Sequence, residues 1–240
     1  VADAVETHEF LQAAAYSDGL VAGVVGWVDL TADAATALDE LLAGESGARL
    51  VGVRHPTPAE PDPDWLARPD VSRGLRDLAD RGLVFDLLVT ARELPAALVA
   101  VDAVDDLSFV VDHGAKPPIA AGEFEPWREL LREVGERPHV TCKVSGLVTE
   151  ANWASWTPAA LQPYVDTLLE IFGPTRLMWG SDWPVCTVAA SYADVLASAR
   201  SCLSSLSAHE SHEVFAGTAC RVYGLPVGPG LPDGRSKLPR

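Results

Sequence analysis

Six short apolar runs, each divided from the next by a helical pattern, leave this chain few folds other than a parallel sheet covered by helices. The runs are 21–28, 50–53, 83–89, 107–111, 140–144 and 176–179. Helical periodicity or composition marks 6–16, 31–42, 71–81, 94–101, 124–134, 158–172, 190–203 and 210–219, with Gly44 and Gly82 as stops. Proline-rich, acidic residues 56–64 read as a loop. The runs are apolar throughout instead of alternating, as strands covered on both faces must be. Alternation of strands and helices allows either a closed barrel or an open doubly wound sheet. No Gly-x-Gly-x-x-Gly follows the first run, so the nucleotide-binding version of the open sheet has no support.

A length of 240 residues suits one such core. The expected organisation is one domain over 1–224 and a flexible tail over 225–240, which is rich in Gly and Pro. A net charge of -16 argues against nucleic acid or an anionic membrane as a partner, since both demand basic patches. No apolar run is long enough to span a bilayer, and no basic-then-apolar leader is visible. Cys142, Cys186, Cys202 and Cys220 form no Cys-x-x-Cys pair, which suits reduced thiols and a cytoplasmic location. Abundant Ala, Val, Asp and Arg with a single Met suggest a high-GC bacterial genome.

Polar residues fall in an informative place. Arg54-His55, Asp112-His113, Lys143 with Ser145, and Asp182 each stand at or just after the C-terminal end of an apolar run. In a parallel barrel those ends share one face, so the groups converge on one mouth. Asp182 follows Arg176-Leu177-Met178-Trp179-Gly180-Ser181, and Pro184 forbids the strand from continuing. An acid there needs a compensating cation, proton or substrate group, or else it caps the next helix. His113 has a similar alternative, a half-buried imidazole bonded to a loop carbonyl. Arg54 offers a planar fork for oxygen pairs or an ordinary salt bridge. Lys143, inside a buried strand, must pair with a carboxylate such as Asp86 or Asp182, or contact substrate. Trp153, Trp156 and Trp183 offer flat faces suited to a sugar ring, and serve equally as lids or packing; Tyr192 follows the Asp182 loop. Asp112 orients its neighbour or caps a turn. There is no Gly-x-Ser-x-Gly elbow, so Ser145 and Ser181 are taken as packing or hydrogen-bonding residues. There is also no His-x-His among His8, His55, His113, His139, His209 and His212, and the last two read as surface.

Four ordered motifs carry a resemblance. They are Gly23-Val24-Val25-Gly26-Trp27-Val28-Asp29-Leu30, Val110-Val111-Asp112-His113-Gly114-Ala115-Lys116-Pro117-Pro118, Thr141-Cys142-Lys143-Val144-Ser145-Gly146-Leu147 and Gly180-Ser181-Asp182-Trp183-Pro184-Val185. Together, over about Glu6 to Tyr223, the chain resembles the amidohydrolase-2 group of metal-dependent hydrolases, in particular its sugar-lactone hydrolases of the L-fuconolactonase and L-rhamnonolactonase type. The resemblance implies an α/β fold, a (β/α)8 TIM barrel. That family opens on a strand with His-x-His and a second strand, so the expectation is a barrel lacking its first two β/α units. It implies a small-molecule lactone as substrate, opened to the hydroxy acid by water that Asp182 activates. His113 would bind the carbonyl oxygen or a metal, and Arg54, His55, Lys116, Lys143, Trp183 and Tyr192 would contact substrate. One divalent zinc held by His113 and Asp182, or no metal at all, are both compatible with the group. A metal-dependent decarboxylase of the same superfamily and an inactive truncated fragment are the alternatives.

Overall fold

The structure is a computed structural model that describes residues 3–226. Its strands are β1 (Val24–Gly26), β2 (Leu50–Pro56), β3 (Val84–Leu88), β4 (Phe109–Val111), β5 (Val140–Val144) and β6 (Leu177–Trp179). All five pairings are parallel, and spatial order follows chain order. This is six successive β/α units of barrel type. The helices are α1 (Ala4–Ala15), α2 (Ala34–Ala43), α3 (Pro69–Ala79), α4 (Leu94–Ala103), α5 (Trp127–Gly135), a short α6 (Leu147–Glu150), α7 (Pro158–Phe172), α8 (Tyr192–Cys202), α9 (Ala208–His212) and α10 (Thr218–Val222). Among the described residues no helix is long and apolar enough to cross a membrane.

The run expected to stop at Val53 continues to Pro56, because Arg54, His55 and Pro56 pair in register with Asp86, Leu87 and Leu88 of β3. The helix expected over 210–219 extends over 208–222 and is interrupted by one wider turn, Glu213–Gly217, between α9 and α10. A capping box starts it: the Ser207 side chain accepts from the Glu210 N–H, and the Glu210 carboxylate accepts from the Ser207 N–H. Of the expected tail, 227–240 lie outside the described residues.

Period-two alternation gives the sheet two different faces. Phe85, Leu87, Phe109, Val111, Cys142 and Leu177 are fully buried in one core cluster with the helical residues Leu75, Leu131 and Leu168. Each such side chain contributes about 1.5–3 kcal/mol by leaving water. The opposite face begins with Val84, Val110 and Met178, which pack against Ala219, Val222 and Tyr223 of the C-terminal segment. Two residues further along the strands the same face becomes charged. Val84 is followed by Asp86, Val110 by Asp112, and Thr141 by Lys143.

The free edge of β1 is covered locally. The Thr7 hydroxyl of α1 donates to the Trp27 carbonyl at 3.0 Å and accepts from the Trp27 N–H at 2.8 Å, replacing a strand neighbour just past the end of β1.

Candidate functional site

Lys143 is the centre of the charged layer. Its Nζ lies 2.5 Å from Asp86 Oδ2 and 2.7 Å from Asp112 Oδ1. Arg54 Nη1 donates to Asp112 Oδ2 at 3.1 Å, and Tyr223 Oη donates to Asp86 Oδ1 at 2.8 Å. The Lys143 ammonium also sits 5.6 Å from the centre of the Tyr223 ring. Asp86 and Asp112 are buried, with side chains 1% and 0% exposed, so neither could stay charged without these partners. Burial pulls the Lys143 ammonium down, but Asp86 and then Asp112 outweigh it and hold the group well above its ordinary range. Burial raises the Asp112 carboxyl, and Lys143, His113 and Arg54 together bring it below its ordinary value. Asp112 Oδ1 makes a close ion pair with Lys143 but no well-directed hydrogen bond. The predicted pairing of Lys143 with a carboxylate is thus with Asp86 and Asp112, not Asp182.

Asp112 starts the turn that presents the next residues. His113, Gly114, Ala115 and Lys116 have φ of 53, 59, 58 and 52°, four successive left-handed residues. A left-handed non-glycine residue costs on the order of 1–3 kcal/mol and persists only where its surroundings over-determine it. Here the Trp127 indole N–H donates to the Gly114 carbonyl at 2.7 Å, and the Lys116 N–H donates to the His113 carbonyl at 2.9 Å. The turn aims His113 at two strand ends. Its Nδ1 is 2.8 Å from Ser145 Oγ, and its Nε2 is 3.6 Å from Asp182 Oδ1. The hydroxyl of Ser145 can serve either tautomer of the ring, and the tautomer protonated on Nε2 turns that proton toward Asp182.

Asp182 is itself left-handed, with φ of 57°, and its carboxylate caps no helix. Its backbone carbonyl accepts from the Cys186 N–H at 2.8 Å instead, and Ser191 caps α8. Burial pushes the Asp182 carboxyl up, with His113 and Lys116 opposing, and burial also pulls the His113 imidazolium down. Burial thus favours the uncharged imidazole and raises the proton affinity of the carboxylate beside it.

Gly146 makes this approach possible. It has φ of +63°, and a Cβ there would fall 2.9 Å from His113 Cγ and Nδ1 and 3.0 Å from Asp182 Oδ2. Gly146→Ala is expected to cost about 1–3 kcal/mol of stability through backbone strain and to separate His113 from Asp182. Thermal unfolding together with steady-state kinetics checks this, and an unchanged kcat would count against the pair.

The other predicted residues divide. Lys116 reaches the mouth and is ion-paired to Glu150, which also lies 3.4 Å from Thr149 Oγ1. Arg54 is at the same mouth, pinned by Asp112 but with its side chain 46% exposed. Trp183 is 66% exposed and Tyr192 48% exposed, the latter edge-on to Trp179 at 6.2 Å. Trp156 donates its indole N–H to the Ala189 carbonyl at 3.1 Å, and the Trp153 indole donates to the Thr149 carbonyl at 2.8 Å. His55 is not brought to this group. One residue past Arg54, it points to the other face of β2, where Nδ1 accepts from the Trp27 indole at 3.1 Å and Nε2 meets Glu60 Oε1 at 2.8 Å. Its ring stacks on Trp65 with centroids 4.0 Å apart, so both nitrogens and one face are already used.

A catalytic zinc normally takes three protein ligands. His113 and Asp182 supply two donors, and among the described residues no group of three His, Cys, Asp or Glu side chains could hold a metal ion. Asp112, the nearest further carboxylate in sequence, is committed to Arg54 and Lys143. The described donors do not by themselves fit a zinc site, and the chemistry proposed for this mouth passes through none.

A parallel β/α sheet with a His–Asp pair at the strand ends defines a class, and the amidohydrolase family profile (Amidohydro_2) matches residues 4–225: the chain belongs to that family. Among its relatives is the L-fucono-1,5-lactonase of Burkholderia multivorans, 40% identical over 90% of this chain and 76% of that protein. The L-fucono-1,5-lactonase of Burkholderia ambifaria is 37% identical over 91% of this chain and 76% of that protein. A crystal structure of a Burkholderia multivorans amidohydrolase with bound zinc superposes with a TM-score of 0.85 at 40% identity, covering 94% of this chain and 81% of that one.

Proposed function

We propose that this protein opens a small sugar lactone, of the L-fucono-1,5-lactone kind, to the hydroxy acid. The observation that carries the reading is the His113–Asp182 pair, 3.6 Å apart across the C-terminal end of β5 from the turns after β4 and β6, in a chain 40% identical to an L-fucono-1,5-lactonase. Asp182 accepts a proton from water as the water oxygen attacks the lactone carbonyl. Negative charge grows on the carbonyl oxygen, and the His113 Nε2–H donates to it. The tetrahedral adduct then breaks its bond to the ring oxygen, and Asp182 returns the proton to that leaving alkoxide. The carboxylic acid so formed ionises at neutral pH. Arg54 and Lys116 hold hydroxyl and carbonyl oxygens of the substrate, while Lys143 positions Asp112 without touching substrate.

The test is hydrolysis of L-fucono-1,5-lactone followed across pH. Asp182 must be ionised to act, and its carboxyl is raised above the ordinary 3.8, so kcat/KM is expected to rise with pH along a limb displaced above 3.8. Burial lowers the His113 imidazolium from its ordinary 6.5, which favours the neutral ring that the reaction uses. Absence of turnover with sugar lactones by the folded protein would overturn the reading. A limb at the ordinary carboxylate value would remove Asp182 from the base role.

A further inference from the structure

The reaction just proposed changes the charge of the bound molecule. A lactone is neutral. Water adds across its C–O bond to give a hydroxy acid, whose carboxyl loses a proton to solvent and leaves an anion in the site. A mouth containing an uncompensated ammonium would hold that anion more tightly than the lactone it came from. Lys116 is the cation in question, since it closes the left-handed turn that carries His113, its N–H donating to the His113 carbonyl at 2.9 Å. It does not stand uncompensated. Glu150, at the end of α6, is ion-paired to it, with the two side chains 29% and 23% exposed.

Glu150 has little other work. Among the described residues, the Lys116 ammonium and the Thr149 hydroxyl are its side-chain partners, and it caps no helix. A partly exposed ion pair of this sort stabilises a fold only weakly. Its effect on an incoming anion is larger, because it cancels the lysine charge and adds a like charge of its own. Lys116 retains further N–H donors for uncharged oxygens, which are all that a lactone presents.

Resting on the lactonase reading, we propose that Glu150 is a specificity-determining residue: it neutralises Lys116 so that the mouth favours the neutral lactone over the anionic hydroxy acid, and product leaves. Glu150 acts through Lys116 and is not a catalytic residue. A merely structural Glu150, holding the left-handed turn in place, would change lactone and hydroxy-acid binding together.

The experiment compares wild type, Glu150→Gln, Lys116→Met and the double variant. The dissociation constant of L-fuconate is measured by calorimetry, and KM for the lactone from initial rates. Glu150→Gln is expected to tighten L-fuconate about tenfold while KM for the lactone moves by much less, and the gain shrinks in high salt. In the Lys116→Met background, Glu150→Gln is expected to give no such gain. Equal shifts for both ligands, unchanged or weaker L-fuconate binding in Glu150→Gln, or a gain that survives Lys116→Met would overturn the proposal. Wild-type turnover is measured on the same preparations. Its absence condemns the lactonase reading, whereas turnover with no change in L-fuconate affinity condemns only the role of Glu150. If Glu150→Gln does not fold, Glu150→Ser serves, since it also removes the charge.

Discussion

Replacing Asp182 by asparagine is expected to lower kcat for lactone hydrolysis by about 10²–10⁴-fold, the usual contribution of a positioned general base. Asparagine keeps the size and most of the polarity of the side chain, so the left-handed residue and its close approach to Gly146 are preserved. Its amide cannot take a proton from water. Substrate affinity is expected to change far less than kcat, because the residue acts on the attacking water and the leaving alkoxide. The pH limb displaced above 3.8 should vanish with the carboxyl. Initial rates over a range of lactone concentrations at each pH read these effects. Full activity in Asp182→Asn would remove the residue from the reaction.

The second large effect is on stability. Lys143→Met is expected to destabilise the fold by about 3–5 kcal/mol, because it leaves two buried carboxylates facing each other without their shared cation. For a domain of this size that corresponds to a fall in Tm on the order of 10 °C. The ammonium bridges Asp86 and Asp112, whose side chains are 1% and 0% exposed; without it Asp112 keeps Arg54, and among the described residues Asp86 keeps only the uncharged Tyr223 hydroxyl as a hydrogen-bond partner. Adding Asp86→Asn to Lys143→Met is expected to recover part of the loss by removing one stranded charge. Thermal and urea unfolding of the single and double variants measure this. A Lys143→Met protein within about 1 kcal/mol of wild type would mean the network contributes little. Asp112 leads directly into the His113 turn, so the same variant is expected to lose activity in proportion to how far that turn relaxes.

The order of apolar runs and helical patterns determined a parallel α/β sheet, because a strand buried on both faces and a helical crossover each leave a local mark, while the choice of a barrel over an open sheet came from the motifs that resemble the amidohydrolase group. The same logic placed Arg54, His113, Lys143 and Asp182 near one mouth, since parallel strands put their C-terminal ends together. Fine placement escaped it. His55 stands beside Arg54 in sequence, yet strand alternation turns it to the opposite face, where Trp27, Glu60 and Trp65 hold it. Asp182 looked equally suited to capping a helix, and only the packed loop shows its carbonyl doing that work while its carboxylate meets His113.

Three further participants left no signal that could be read along the chain. Tyr223 reaches Asp86 across 137 residues of sequence, which no local pattern encodes. Gly146 resembles any turn glycine until a Cβ is placed on it and meets both members of the pair. Glu150 is one acid among 34 Asp and Glu until the fold sets it on Lys116. By itself the sequence determined which residue types line the strand ends, because that depends on period and burial. Which of them touch, and in which direction each one's proton affinity shifts, was decided by the tertiary structure, because distances of 3 Å and the loss of water are made by contacts between strands far apart in the chain.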